Sequence, residues 1–97
     1  MSLKRSFIHK LPKTDLHLHL DGSLRMSTIF DLAKKQNVEL PAKTEEELKK
    51  MIACTDTCAS LEQYLKAFDI TLSVMQTEEA LYRVAFELAE DCAAENI

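Results

Sequence analysis

Glycine occurs once and proline twice in the 97 residues, which leaves almost no room for linkers or low-complexity segments. No stretch approaches the roughly 20 apolar residues needed to cross a bilayer, and the N-terminus lacks the apolar core of a signal peptide. A cytoplasmic setting with no membrane partner is the expectation. Cysteine is sparse as well: Cys54, Cys58 and Cys92 form an odd set without CxxC spacing, which points to reduced thiols. A Cys54–Cys58 metal pair would lack the second pair of a tetrahedral site. Positive charge is in deficit, with 12 basic side chains against 16 acidic ones and a formal charge of −4, which argues against nucleic acid as a partner. Lys4, Arg5, Lys10 and Lys13 do cluster near the start, but Phe7, Ile8 and Leu11 interrupt them, and the run reads as a solvated arm.

What is present is the composition of a soluble globular chain, 46% hydrophobic and 29% charged, of a length that suits one small core. From Thr14 to Asp21 the residues alternate strictly. Asp15, His17, His19 and Asp21 fall on one side and Leu16, Leu18 and Leu20 on the other, the period of a β-strand. Asp21-Gly22-Ser23 breaks that strand, with the only glycine placed where the backbone is expected to turn sharply. Met26, Ile29, Phe30, Leu32 and Ala33 then recur at helical spacing up to about Gln36, and Asn37 and Pro41 stop the segment.

Three further helices follow. Thr44 with Glu47 is a capping box opening a short charged helix to about Ile52, and Ser60 with Gln63 is a second box. The helix it opens sets Leu61, Tyr64, Leu65, Phe68 and Leu72 on one face; after Thr77, Leu81, Val84, Ala85, Leu88 and Cys92 form a stripe on the last helix. One strand with four helices is an awkward domain by itself, because a strand's backbone donors and acceptors need neighbours. The sequence stops after a helix, where an alternating β/α protein would begin its next strand.

The histidines carry the chemistry. Residues i and i+2 of a strand point the same way, their Cβ atoms about 6.6 Å apart, so two imidazoles can converge on one ion. A catalytic zinc uses three protein ligands and an open position for water, and His17 and His19 could supply two. A bare His-x-His pair also occurs on ordinary edge strands. That reading leaves Asp15 and Asp21 on the same face unexplained, and the pair sits where a strand runs into a turn and then a helix, the position at which β/α barrels build active sites.

The run Pro12-Lys13-Thr14-Asp15-Leu16-His17-Leu18-His19-Leu20-Asp21-Gly22-Ser23-Leu24-Arg25 resembles the first-strand signature of the adenosine deaminase family, metal-dependent amidohydrolases built on (β/α)8 barrels. The stretch Ser60-Leu61-Glu62-Gln63-Tyr64-Leu65-Lys66-Ala67-Phe68-Asp69 is similar to that family's helix over the barrel mouth. The resemblance implies an α/β fold of which this chain is the N-terminal piece of a TIM barrel. It would comprise an arm, one strand over about residues 14–20, the first helix and a helical insertion before the second strand, four helices in all within a single partial domain over residues 1–97.

It further implies that His17 and His19 are zinc ligands, with His19 also beside the substrate, and that Asp21 holds the 5′-hydroxyl of adenosine or a related purine nucleoside. Leu61, Tyr64, Leu65 and Phe68 would form the apolar wall of that site, although the same spacing suits a core stripe. Asp15 reads as structural. The remaining zinc ligands and the proton-handling glutamate and histidine of the family have no counterpart here, the only other histidine being His9 in the arm, expected to face solvent. The implied reaction of the complete enzyme is hydrolytic deamination of adenosine to inosine and ammonia, and this chain alone, with no catalytic residue of its own, is expected to be inactive. Two rival readings are deamination of adenine or another purine, against which Asp21 argues because the resembling adenine deaminases carry glutamate there, and a helical interaction module without catalysis. Barrel surface left uncovered would favour self-association.

Overall fold

A computed structural model describes residues 3–52 and 61–97, the side chains of Gln63 and Tyr64 excepted. The Ser60–Gln63 capping box, the wall position of Tyr64 and the Cys54–Cys58 pair therefore lie outside the described residues. The described elements are α1 (Arg5–Lys10), a 3-10 turn (Leu20–Gly22), α2 (Met26–Gln36), α3 (Glu45–Ile52), α4 (Leu61–Ser73) and α5 (Glu78–Ala94). No helix is long and apolar enough to cross a membrane among the described residues.

The core is small and lies between α2, α3 and the facing parts of α4 and α5. Ile29, Leu48 and Val74 are fully buried, and Leu32, Ala33, Ala80 and Val84 close around them. Burying one such aliphatic side chain contributes roughly 1.5–3 kcal/mol, so a handful of them carries much of the helix packing. The boundaries follow local chemistry. Asn37 ends α2 in the left-handed region, φ 56° and ψ 39°, and the Val38 N–H closes back onto Ala33 O at 2.8 Å, so an asparagine does the work of a C-terminal glycine. Thr44 Oγ1 accepts the Glu47 N–H at 3.2 Å, and Glu47 Oε2 accepts the N–H of Lys43 at 3.1 Å. Thr77 Oγ1 accepts from Ala80 N at 3.0 Å to start α5.

Between α2 and α5 the packing is charged. Arg83 of α5 pairs with Asp31 of α2 and, at 3.3 Å, with Glu87, whose other oxygen accepts the hydroxyl proton of the buried Thr28. Arg25, the N-cap of α2, reaches Asp91 through Nη2 at 2.7 Å and Nε at 3.1 Å. The hydrogen bond from Arg25, reinforced by its charge, holds the Asp91 carboxyl below its ordinary range against a smaller opposing effect of burial. Asp31 is held low in the same way, first by the hydrogen bond from Arg83.

Three expectations change. The strand over residues 14–20 does not form: no β-strand is present among the described residues, and the stretch from Pro12 to His19 is irregular, with Leu16 97% exposed. A strand is stabilised by pairing, and the one described backbone bond from this stretch to a distant element joins the Lys13 N–H to Asn96 O at 2.8 Å. The basic arm, expected as solvated chain, is exposed but helical. Lys13 Nζ donates to the carbonyls of Ile8, His9 and Leu11 at its C-terminal end, where a cation is favourable. His9 is exposed as expected, yet its Nε2 donates to Ala94 O at 2.8 Å and Asn96 Nδ2 donates to its carbonyl at 2.7 Å, tying the arm to the end of α5. Finally, the leucine faces do not make the core. Leu61, Leu65, Leu72 and Leu81 are exposed, and α4 instead buries Ala67 and Thr71.

Candidate functional site

Although the strand is absent, its alternation survives locally. His17 and His19 face the same way, their rings stacked with centroids 4.8 Å apart and their Nε2 atoms 2.9 Å apart. The Asp15 carboxylate accepts the His17 N–H at 3.3 Å, a short-range bond of the kind that fixes a bend. Asp21, at the centre of the 3-10 turn, places Oδ1 3.8 Å from His19 Nδ1. The turn itself closes through Gly22 N–H and Ser23 Oγ, both donating to the His19 carbonyl, at 3.2 and 2.6 Å.

His17, His19, Asp21, Gly22 and Ser23 line a cavity of about 350 Å³ together with Leu18, Ile52, Ala67, Phe68 and Thr71. The His19 and Phe68 rings lie 6.3 Å apart at 56°, so the imidazole pair has an aromatic wall on one side. Gly22 packs closely against α4 without being demanded by φ, since no glycine has positive φ among the described residues. A Cβ at position 22 would stand 3.4 Å from Phe68 Cε1 and 3.7 Å from His19 Cβ. Both are ordinary van der Waals contacts, so the turn lies against the Phe68 ring with room for a methyl group.

Of the expected site residues, the structure brings together His17, His19, Asp21 and Phe68. Leu61 and Leu65 lie elsewhere on α4, along a separate shallow groove with Glu62, Lys66 and Asp69. Ala67, Thr71 and Ile52 line the histidine cavity and were not singled out from the sequence. Ala67 and Thr71 lie four residues apart and so share a helix face, but the larger leucines of α4 outweigh them in the sequence pattern.

The donor set suits a divalent ion with nitrogen ligands. Two imidazoles held on one tetrahedral zinc at 2.0–2.1 Å would have their nitrogens about 3.3 Å apart, close to the 2.9 Å separation of the two Nε2 atoms. Among the described residues no group of three or more His, Cys, Asp or Glu converges to hold a metal, so the pair is a partial set.

Residues 12–97 match the family model described as adenosine deaminase, a span that starts at the signature around the histidines and includes all of α2 to α5. The chain belongs to the adenosine deaminase family. Among its relatives is the adenosine deaminase of Clostridium botulinum (strain 657 / Type Ba4), 56% identical over 88 residues, which covers 91% of this chain and 27% of that protein. The adenosine deaminase of Shewanella woodyi is 53% identical over 87 residues, covering 90% of this chain and 26% of that protein. The chain thus spans about a quarter of the length of the curated relatives it matches.

Proposed function

We propose that this chain furnishes two imidazole zinc ligands, His17 and His19, and the nucleoside-holding Asp21 of a zinc-dependent adenosine deaminase with a (β/α)8 barrel. The observation that carries the reading is the 2.9 Å approach of the two Nε2 atoms on the wall of a cavity that also holds Asp21 and Phe68. When bound, zinc lowers the pKa of water so that hydroxide is available near neutral pH. The residues of this chain bind and orient. His17 and His19 fix the ion's place at the end of the irregular segment, Asp21 accepts a hydrogen bond from the 5′-hydroxyl of adenosine, and Phe68 offers a flat apolar face to the purine and excludes water from that side. Leu61 and Leu65, exposed on their separate groove of α4, offer apolar surface that the rest of a barrel would cover. The remaining ligands and the groups that transfer protons come from outside this stretch, so the 97 residues alone do not turn over adenosine. With those leucines exposed, the isolated chain would self-associate at high concentration.

The reading is tested by a chimera in which this chain replaces the matched 88 residues of the Clostridium botulinum relative. The expected result is conversion of adenosine to inosine that a chelator stops and that His17→Ala or His19→Ala abolishes. A folded chimera that leaves adenosine untouched, or one that works undiminished with His17→Ala, would overturn it.

A further inference from the structure

The turn that carries Asp21 has few bonds of its own, yet it is gripped from two sides. On one side Gly22 sits against the Phe68 ring of α4. On the other, the chain leaves the turn through Ser23 and the buried Leu24 and arrives at Arg25, whose guanidinium spans to the far end of α5. That grip is dense. Arg25 Nη2 and Nε both meet Asp91, at 2.7 and 3.1 Å, Nη1 lies 3.5 Å from Glu87 Oε2, and Nη2 lies 3.4 Å from both Glu90 Oε1 and the Glu87 carbonyl. A planar guanidinium meeting a carboxylate through two nitrogens fixes orientation as well as distance, which a lysine ammonium cannot do.

Glu87 is itself held by Arg83 and Thr28, so that carboxylate is not free to follow Arg25. The lever is short, since Arg25 is four residues from Asp21 and six from His19. From this geometry we propose that Arg25 is a positioning residue for the candidate site: its guanidinium, clamped by Asp91 and Glu87 of α5, fixes the turn that sets His19 and Asp21 against Phe68. It touches neither ion nor nucleoside. The proposal deepens the functional reading and rests on it for the meaning of the site, while the geometric claim stands on α5 and the turn alone.

The test uses the 97-residue chain and proton NMR contacts. In Arg25→Gln, and equally in Asp91→Asn, the contacts between Gly22 and the Phe68 ring and between the His17 and His19 rings are expected to be lost, while those among Ile29, Leu32 and Val74 and the helical circular dichroism persist. A purely structural role would move both sets together. Site contacts that survive in either variant would overturn the proposal, because the clamp would then not set the turn. Loss of the core contacts in both variants would also overturn it, because Arg25 would be holding the whole domain together. Zinc added to the unmodified chain in the same experiment separates this from the functional reading: silence at His17 and His19 would count against the metal site and leave the positioning result to be read from the contacts.

Discussion

The seam between α2 and α5 and the irregular segment bearing the histidines are both polar, but they are held in opposite ways. In the seam, Arg25, Thr28, Asp31, Arg83, Glu87 and Asp91 satisfy one another across two helices over a fully buried Ile29. In the segment, His17 and His19 are exposed and bond mainly to each other, to Asp15 and to the turn that follows. Polar groups in the seam are satisfied across two helices, whereas the two Nε2 atoms are satisfied by each other, and an ion could take the place of the one proton they share. Rigid framing beside a pair of imidazoles with few other partners suits a binding site, and substitutions on the two sides should have unlike effects.

The largest effect is expected in the core that underlies the seam. Ile29→Ala should lower the unfolding free energy by about 2–5 kcal/mol, measured by urea denaturation, whereas His17→Ala should leave it nearly unchanged because the ring is exposed. Next is Glu87→Ala, which leaves the buried Thr28 hydroxyl without its acceptor and is expected to cost about 1–3 kcal/mol. Acid should act on the seam selectively. Asp91 and Asp31 titrate below the ordinary carboxylate range because Arg25 and Arg83 bond to them. Their contribution is therefore full above the unfolded carboxylate pKa, near 4, and is lost as pH falls through their lower folded values. A pH titration by circular dichroism should show this loosening below about pH 4, and should show it reduced in an Asp31→Asn, Asp91→Asn double variant. The smallest effect is expected at Gly22→Ala. With no positive φ to penalise and a Cβ contact of 3.4 Å, stability should change by less than about 1 kcal/mol while the Phe68 ring signals shift.

The sequence was legible where structure is decided locally. Asn37 as a stop, Thr44 with Glu47, and Thr77 as a start are bonds between residues three or four apart, and the structure has them. The alternation of residues 14–21 was legible as side-chain direction, since the imidazoles do meet, but not as a strand, because pairing requires partners that the sequence pattern cannot provide. Helix α1 was missed because, besides Lys13 at its C-terminal end, what steadies it is remote: His9 finds Ala94, 85 positions away. On α4 the eye goes to Leu61, Leu65 and Leu72, yet the side facing the turn is defined by small residues, Ala67 and Thr71, whose importance appears only when Gly22 is seen against Phe68.

The central claim is that His17 and His19 act as one ligand pair, and the most direct measurement is a zinc titration of the chain followed through the imidazole nitrogen signals of its three histidines. The account predicts that His17 and His19 shift together at the same zinc concentration, weakly because the set is partial, while His9, bonded to Ala94 O, does not follow them. A response at His9 equal to theirs, or a response of His17 without His19, would contradict it.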